Sequence, residues 1–461
     1  MNIRFAVVAA ASALVALPSW GADLQVAPGT TFSISGFFGI GLKQSSLSNT
    51  VRAGVKDEIR LDDNTSRIFF SGSSKIADGY NVVFQVGSRF TTDVRPTDSG
   101  VGTIPAGQIT GWADDDTWAG VATPYGRLIF GKNSFYWSDT IGLPHLAPVL
   151  DSPGEHYRIW DANGLTTFNI LNQTPTLTKT NILVNSYVLG ITRSRNVLRY
   201  DSPNFSGFDL AVALSKNPVG DEVKYPGFAT PDLTKAYGRA YNEGLTTYLR
   251  ARYNKSGIAL HASYLDQKIM GGTYNAGLYN GALDTKAYRL GGGYKFPFGL
   301  KVGLVYDHTE LANGISGTGI SASTAWDATL KTGAAATVIL APGSITAGDA
   351  KRDAFELAAS YTLGDHMFHA TYGKAGNVSS INDSGADQIN LVWDYALTKR
   401  TFVGLVYTNL KNGKNGHYAP FLAGSNFGPT APNPISATAT PTNSFNGENW
   451  SQIGINVQFW F

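Results

Sequence analysis

Four places along the chain have residue types and spacing that invite chemistry: His366 with His369, His261 with Ser263, Asp114-Asp115-Asp116, and Gly291-Gly292-Gly293. Two histidines three residues apart share a face on a helix, where they can hold a metal. On a strand the same spacing puts them on opposite faces. His261 and Ser263 do share a strand face, as a base and a nucleophile would need. Leu260, Ala262 and Tyr264 take the other, apolar face, so that pair points away from any apolar phase. The acidic run can coordinate Ca2+ with loop carbonyls, although such runs are more often only solvated. The three glycines fall inside a strand pattern and suit bending or close packing. The chain has neither a Gly-Lys-Ser/Thr phosphate loop nor a nucleophile elbow. No catalytic residue, cofactor or metal site is expected, and the chain does not read as an enzyme.

Composition narrows the classes further. The 461 residues carry 36 Lys+Arg against 34 Asp+Glu and no cysteine. A balanced charge argues against a nucleic-acid binder that needs a strong positive field. Without cysteine there is no disulfide framework and no thiolate metal site. Met1–Ala22 has a polar start with Arg4, an apolar run from Phe5 to Leu17, then Pro18 and small residues. That is the build of a signal peptide, cleaved after Gly21 or Ala22. The run is shorter than the ~20 residues a spanning helix needs.

What positions the remaining residues is period two. Ile453, Ile455, Val457, Phe459 and Phe461 alternate with Gln452, Gly454, Asn456 and Gln458. Phe355 to Leu363, Ile389 to Leu397 and Leu300 to Tyr306 repeat the pattern. About sixteen such segments follow one another. Short turns such as Ala77-Asp78-Gly79 and Lys255-Ser256-Gly257 alternate strictly with long polar connections, the first near 43–64 and the longest near 133–195. All long connections therefore fall at one end of the strands. Strands with one apolar face, short turns at one end and long loops at the other are the layout of a bacterial outer-membrane barrel. Closure removes the unpaired edges that lipid does not tolerate. Aromatic residues near strand ends, among them Tyr125, Tyr200, Phe298 and Tyr361, agree with interfacial girdles.

Several segments in this order are familiar. They are Ser66-Arg67-Ile68-Phe69-Phe70-Ser71-Gly72, Phe84-Gln85-Val86, Gly126-Arg127-Leu128-Ile129-Phe130-Gly131-Lys132, Asn196 through Pro203, and the terminal Phe461. With sixteen strands they resemble the trimeric Gram-negative general porins over nearly the whole mature chain. The resemblance implies an all-β fold: a 16-stranded antiparallel transmembrane β-barrel with short periplasmic turns, long external loops and an inward-folded third loop. Residues 23–461 would form that single domain in the cell outer membrane. Implied partners are outer-membrane lipid and lipopolysaccharide, two further copies in a homotrimer, small hydrophilic solutes and ions, and a barrel-assembly machinery that reads Phe461 as its signal. The chain is longer than common members, and the surplus lies in loops.

Parity assigns Arg67, Arg89, Arg127, Arg199, Arg250, Arg252, Arg289 and Lys301 to the inner wall, with fewer acids: Asp307, Glu356 and Asp394. Arg67 and Arg89 lie equally far from the turn at 77–79, so they are expected to be cross-strand neighbours. Arg127 and Lys301 fall close to the periplasmic mouth. By resemblance the third loop narrows the pore, and its Asp139, Asp151, Glu155, Arg158 and Asp161 would face the basic wall. A positive wall opposite an acidic loop produces a strong transverse field. The expected function is passive diffusion through a water-filled channel, with a weak preference for anions. Alternatives are a substrate-selective channel for oligosaccharides or organic acids, with Phe69, Tyr136, Trp137 and Trp160 as slide candidates, or a non-conducting adhesin. An outward-facing polar triad, which a membrane enzyme would need, is not expected.

Overall fold

The computed structural model describes residues 22–49, 57–62, 66–89, 112–113, 115–133, 136, 194–216, 244–269, 283–315, 348–377, 379, 382–414 and 449–461. The expected signal peptide therefore lies outside the described residues up to Gly21, as does nearly all of the third long connection.

The strands are β1 (Ala22–Ala27), β2 (Thr30–Ser48), β3 (Asp57–Asp62), β4 (Arg67–Ala77), β5 (Tyr80–Arg89), β6 (Thr117–Thr123), β7 (Gly126–Asn133), β8 (Ser194–Asp201), β9 (Phe208–Lys216) and β10 (Gly244–Lys255). They continue as β11 (Ile258–Ile269), β12 (Leu283–Lys295), β13 (Lys301–Ile315), β14 (Gly348–Leu363), β15 (His366–Ala375), β16 (Ala386–Ala396), β17 (Thr401–Asn412) and β18 (Asn449–Trp460). Each pairs antiparallel with its neighbour, and β18 returns to β2, which closes the sheet. β3 and β4 share one position beside β2, covering its residues 41–46 and 30–37 in turn. β1 lies end to end with β18 along the other edge of β2. Eighteen segments thus make the sixteen-position barrel that the alternation implies.

Two details depart from the sequence reading. The stretch 43–64, read as a long connection, continues β2 to Ser48 and contains β3, where Ile59 and Leu61 alternate with charged residues. The short β1 was not expected either. It pairs with Thr30–Ile34 of β2, a stretch of edge that β18 does not cover.

Which face is wet follows from the alternation. In β18, Ile453, Ile455, Val457 and Phe459 are 42–57% exposed, whereas Gln452, Asn456 and Gln458 are buried inside. A soluble protein would bury the isoleucines; here they can be dry only against lipid. Local turn chemistry holds the periplasmic end. Ser256 and Gly257 both take positive φ, 55° and 81°, the pairing that a two-residue hairpin turn requires. The chain end closes the seam: the Gly36 amide donates to the Phe461 carbonyl at 2.9 Å, and the Phe461 amide to the Gly36 carbonyl at 3.1 Å. A Cβ on Gly36 would meet the Arg67 carbonyl oxygen at 2.3 Å, so only glycine allows this approach.

Candidate functional site: the inner wall of the barrel

Inward parity and register together build two ion-pair clusters. The first spans four adjacent strands, β7 to β10. Arg127 stands opposite Asp201, and Arg252 opposite Asp209. Between them β9 presents Ala211 and Ala213, whose small side chains leave space for arginines from both sides to lie across the strand. Asp201 receives Arg199 at 2.8 Å, Arg127 at 2.9 Å and Arg250 at 3.6 Å. Arg199 also donates to the Asn133 amide oxygen at 3.2 Å. Asp209 receives Arg250 at 2.9 Å and Arg252 at 3.0 Å. The cluster holds four guanidiniums and two carboxylates, an excess of two positive charges over these six groups. Arg127, Arg199 and Arg250 are buried in it; Arg252, with a side chain 12% exposed, is the more accessible.

The second cluster sits on β12 to β14. Arg289 faces Asp307 directly across the β12–β13 pair and binds it at 3.0 Å. Arg352 approaches the other oxygen at 3.4 Å, and the Thr309 hydroxyl donates to it at 3.1 Å. A further donor comes from far along the chain. Tyr136, three residues beyond the end of β7, gives its phenol proton to Asp307 at 3.0 Å. Its ring lies 4.8 Å from the Arg289 guanidinium and is fully buried. β12 and β13 are five and six positions round the ring from β7, so Tyr136 stands inside the barrel against a distant part of the wall.

The other expected wall residues are placed as follows. Arg67 and Arg89 are opposite each other in the β4–β5 register. Arg67 pairs with Asp115 at 3.4 Å and lies 5.3 Å from the Phe37 ring. Asp115 also accepts the Asp116 amide at 2.8 Å, so it is engaged both in its own turn and with an arginine, while Asp114 lies outside the described residues. Among the described residues no group of acids and histidines could hold a metal. His261 bonds Ser263 at 3.0 Å on the inner face, and His369 stands 3.6 Å from Asp394, also inside, while His366 is on the outer face. Asp139, Asp151, Glu155, Arg158 and Asp161 lie outside the described residues.

Three features were missed in the sequence. Asp201 is two residues from Arg199 and shares its face, a signal that parity alone carries. Asp209 and Arg352 are inward by the same rule, but only the register brings Asp209 to Arg252. On the outer face, His308 meets Asp353 at 2.7 Å and the Tyr306 phenol donates to the same carboxylate at 2.6 Å. This outward polar group was not foreseen. Its hydroxyl bonds the carboxylate rather than the imidazole, which is the wrong order for a nucleophile–base–acid relay.

A closed barrel, outward apolar residues and charged inner clusters form a channel wall, and comparison with known proteins agrees. The family model for the Gram-negative porins matches residues 5–415. The chain belongs to the Gram-negative porins. No curated protein matches its sequence. Among solved structures, the anion-selective porin from Comamonas acidovorans is 15% identical, with 94% of this chain and 100% of that one covered, at a TM-score of 0.56. The trimer form of OmpT from Vibrio cholerae is 12% identical, with 93% and 99% covered, at 0.50. OmpF of Salmonella typhi in complex with daunomycin is 13% identical, with 95% and 100% covered, at 0.50. At these identities the neighbours speak for the fold. As a porin, this chain is an integral outer-membrane β-barrel and a channel for passive diffusion.

Proposed function

We propose that the channel admits small hydrophilic solutes and ions with a weak preference for anions, and that its third external connection forms the constriction. The observation that carries the preference is the gathering of Arg127, Arg199, Arg250 and Arg252 on the inner face of β7–β10, where Arg252 keeps part of its surface exposed. Charge fixed on a low-dielectric wall acts on ions that pass close to it. The Comamonas acidovorans neighbour is an anion-selective porin, which is consistent with this reading. Support for the constriction comes from Tyr136, which reaches from the end of β7 to Asp307 and Arg289. Asp139, Asp151, Glu155, Arg158 and Asp161 are proposed to follow it inward. The trimer form of the Vibrio cholerae neighbour supports a homotrimer for this chain too. Phe461, hydrogen-bonded at the seam, is proposed as the residue read during assembly. The test is single-channel recording in a planar bilayer under a KCl gradient. Stepwise conductance with a reversal potential of anion-selective sign supports the reading; a barrel that inserts without conducting overturns it.

A further inference from the structure

The outer wall of β14–β18 carries an apolar groove of about 550 Å³. Its floor is the cross-strand pair Ala359 and Ala370. On the periplasmic side it is bounded by Tyr361, Phe368 and Trp393, which are successive neighbours in the register. Those rings continue into a packed aromatic group. His366 lies 5.9 Å from Trp393 and 4.9 Å from Tyr395, ring centre to ring centre. The Trp393 indole N–H donates to His366 Nδ1 at 3.0 Å. An indole can only donate, so the neutral imidazole carries its own proton on Nε2 and offers it as a donor. Just past Tyr395, the exposed turn between β16 and β17 bears Lys399 and Arg400; the neighbouring turn bears Asp365. Lys399 and Arg400 are the cations of these two turns.

We propose that this groove binds one anionic phospholipid of the periplasmic leaflet. An acyl chain lies over Ala359 and Ala370 between the aromatic rings. The phosphate sits at the boundary, where His366 Nε2–H, Lys399 and Arg400 supply donors and charge. An open apolar surface groove, with cations on the turn beyond its aromatic edge, matches a lipid in both polarity and direction. The proposal rests on the outer-membrane barrel reading, but not on conduction.

Native mass spectrometry of the purified full-length protein in mild detergent tests it, with dioleoylphosphatidylglycerol, dioleoylphosphatidylcholine and lipid A as separate probes. The expected result is retention of phosphatidylglycerol in preference to the other two. Lys399→Gln with Arg400→Gln, both on an exposed turn, should weaken phosphatidylglycerol roughly thirty-fold. Ala370→Trp should abolish retention by filling the groove. Equal retention of phosphatidylcholine, preferential retention of lipid A, or unchanged phosphatidylglycerol retention in the turn variant each overturns the proposal. So does an Ala370→Trp protein that changes its subunit number with lipid retention unaltered, because the occupant would then be a second copy. A protein that conducts yet holds no phosphatidylglycerol refutes the lipid site and leaves the channel standing.

Discussion

Asp201 shows how much one inward side chain organises. Its two oxygens meet Arg127, Arg199 and Arg250 from three different strands. Removing one partner of a buried charged group costs more than the net worth of the pair, about 3–5 kcal/mol. Asp201→Asn is therefore expected to destabilise the barrel by about 3–5 kcal/mol, read from urea unfolding of the refolded protein. Arg252 belongs to the same cluster but is more accessible. Arg252→Glu is expected to move the reversal potential toward cations with the barrel intact. Tyr136→Ala removes both the phenol donor to Asp307 and the ring beside Arg289. If the third connection narrows the pore, single-channel conductance rises in this variant; an unchanged conductance would place the constriction elsewhere.

Among the elements, β2 has the densest set of duties. It pairs with β1 and β18 along one edge and with β3 and β4 along the other. The junction falls at Gly36, where Phe461 docks. Gly36→Ala puts a methyl group within 2.3 Å of the Arg67 carbonyl, so the seam must shift. The expected outcome is a lower yield of folded barrel, measured as the heat-modifiable band on electrophoresis. On the lipid side, Leu391→Arg places a charge at mid-strand in β16. The cost there is about 2–4 kcal/mol, which the same unfolding assay would read.

For the whole molecule, the wall charge is local and its reach depends on salt. The Debye length is about 10 Å at 0.1 M and about 3 Å at 1 M. An anion preference that comes from the arginine cluster should shrink as KCl rises between those concentrations. A preference independent of salt would point to a filter in direct contact with the ion instead. At this scale closure supplies the water-excluding wall, and the inward faces supply the field.

Much of the fold was legible because its determinants are local. A period of two writes the lipid face and the water face into every strand, as Ile453 to Phe461 show against Gln452 to Gln458. Turn chemistry at Ser256-Gly257 needs only neighbouring residues to be read. From these, the strand count, the closure and the inward set that includes Arg67, Arg199, Arg250, Arg252 and Arg289 were accessible. The partners of those arginines were not. Asp209 meets Arg252, and Arg127 meets Asp201, because strands pair in one register, which depends on both strands and on the turn between them. Tyr136 meets Asp307 because the sheet closes, bringing residues 171 apart in sequence within hydrogen-bond distance. Parity along a strand is a property of its own backbone; contacts across strands and across the barrel exist only once the ring has formed.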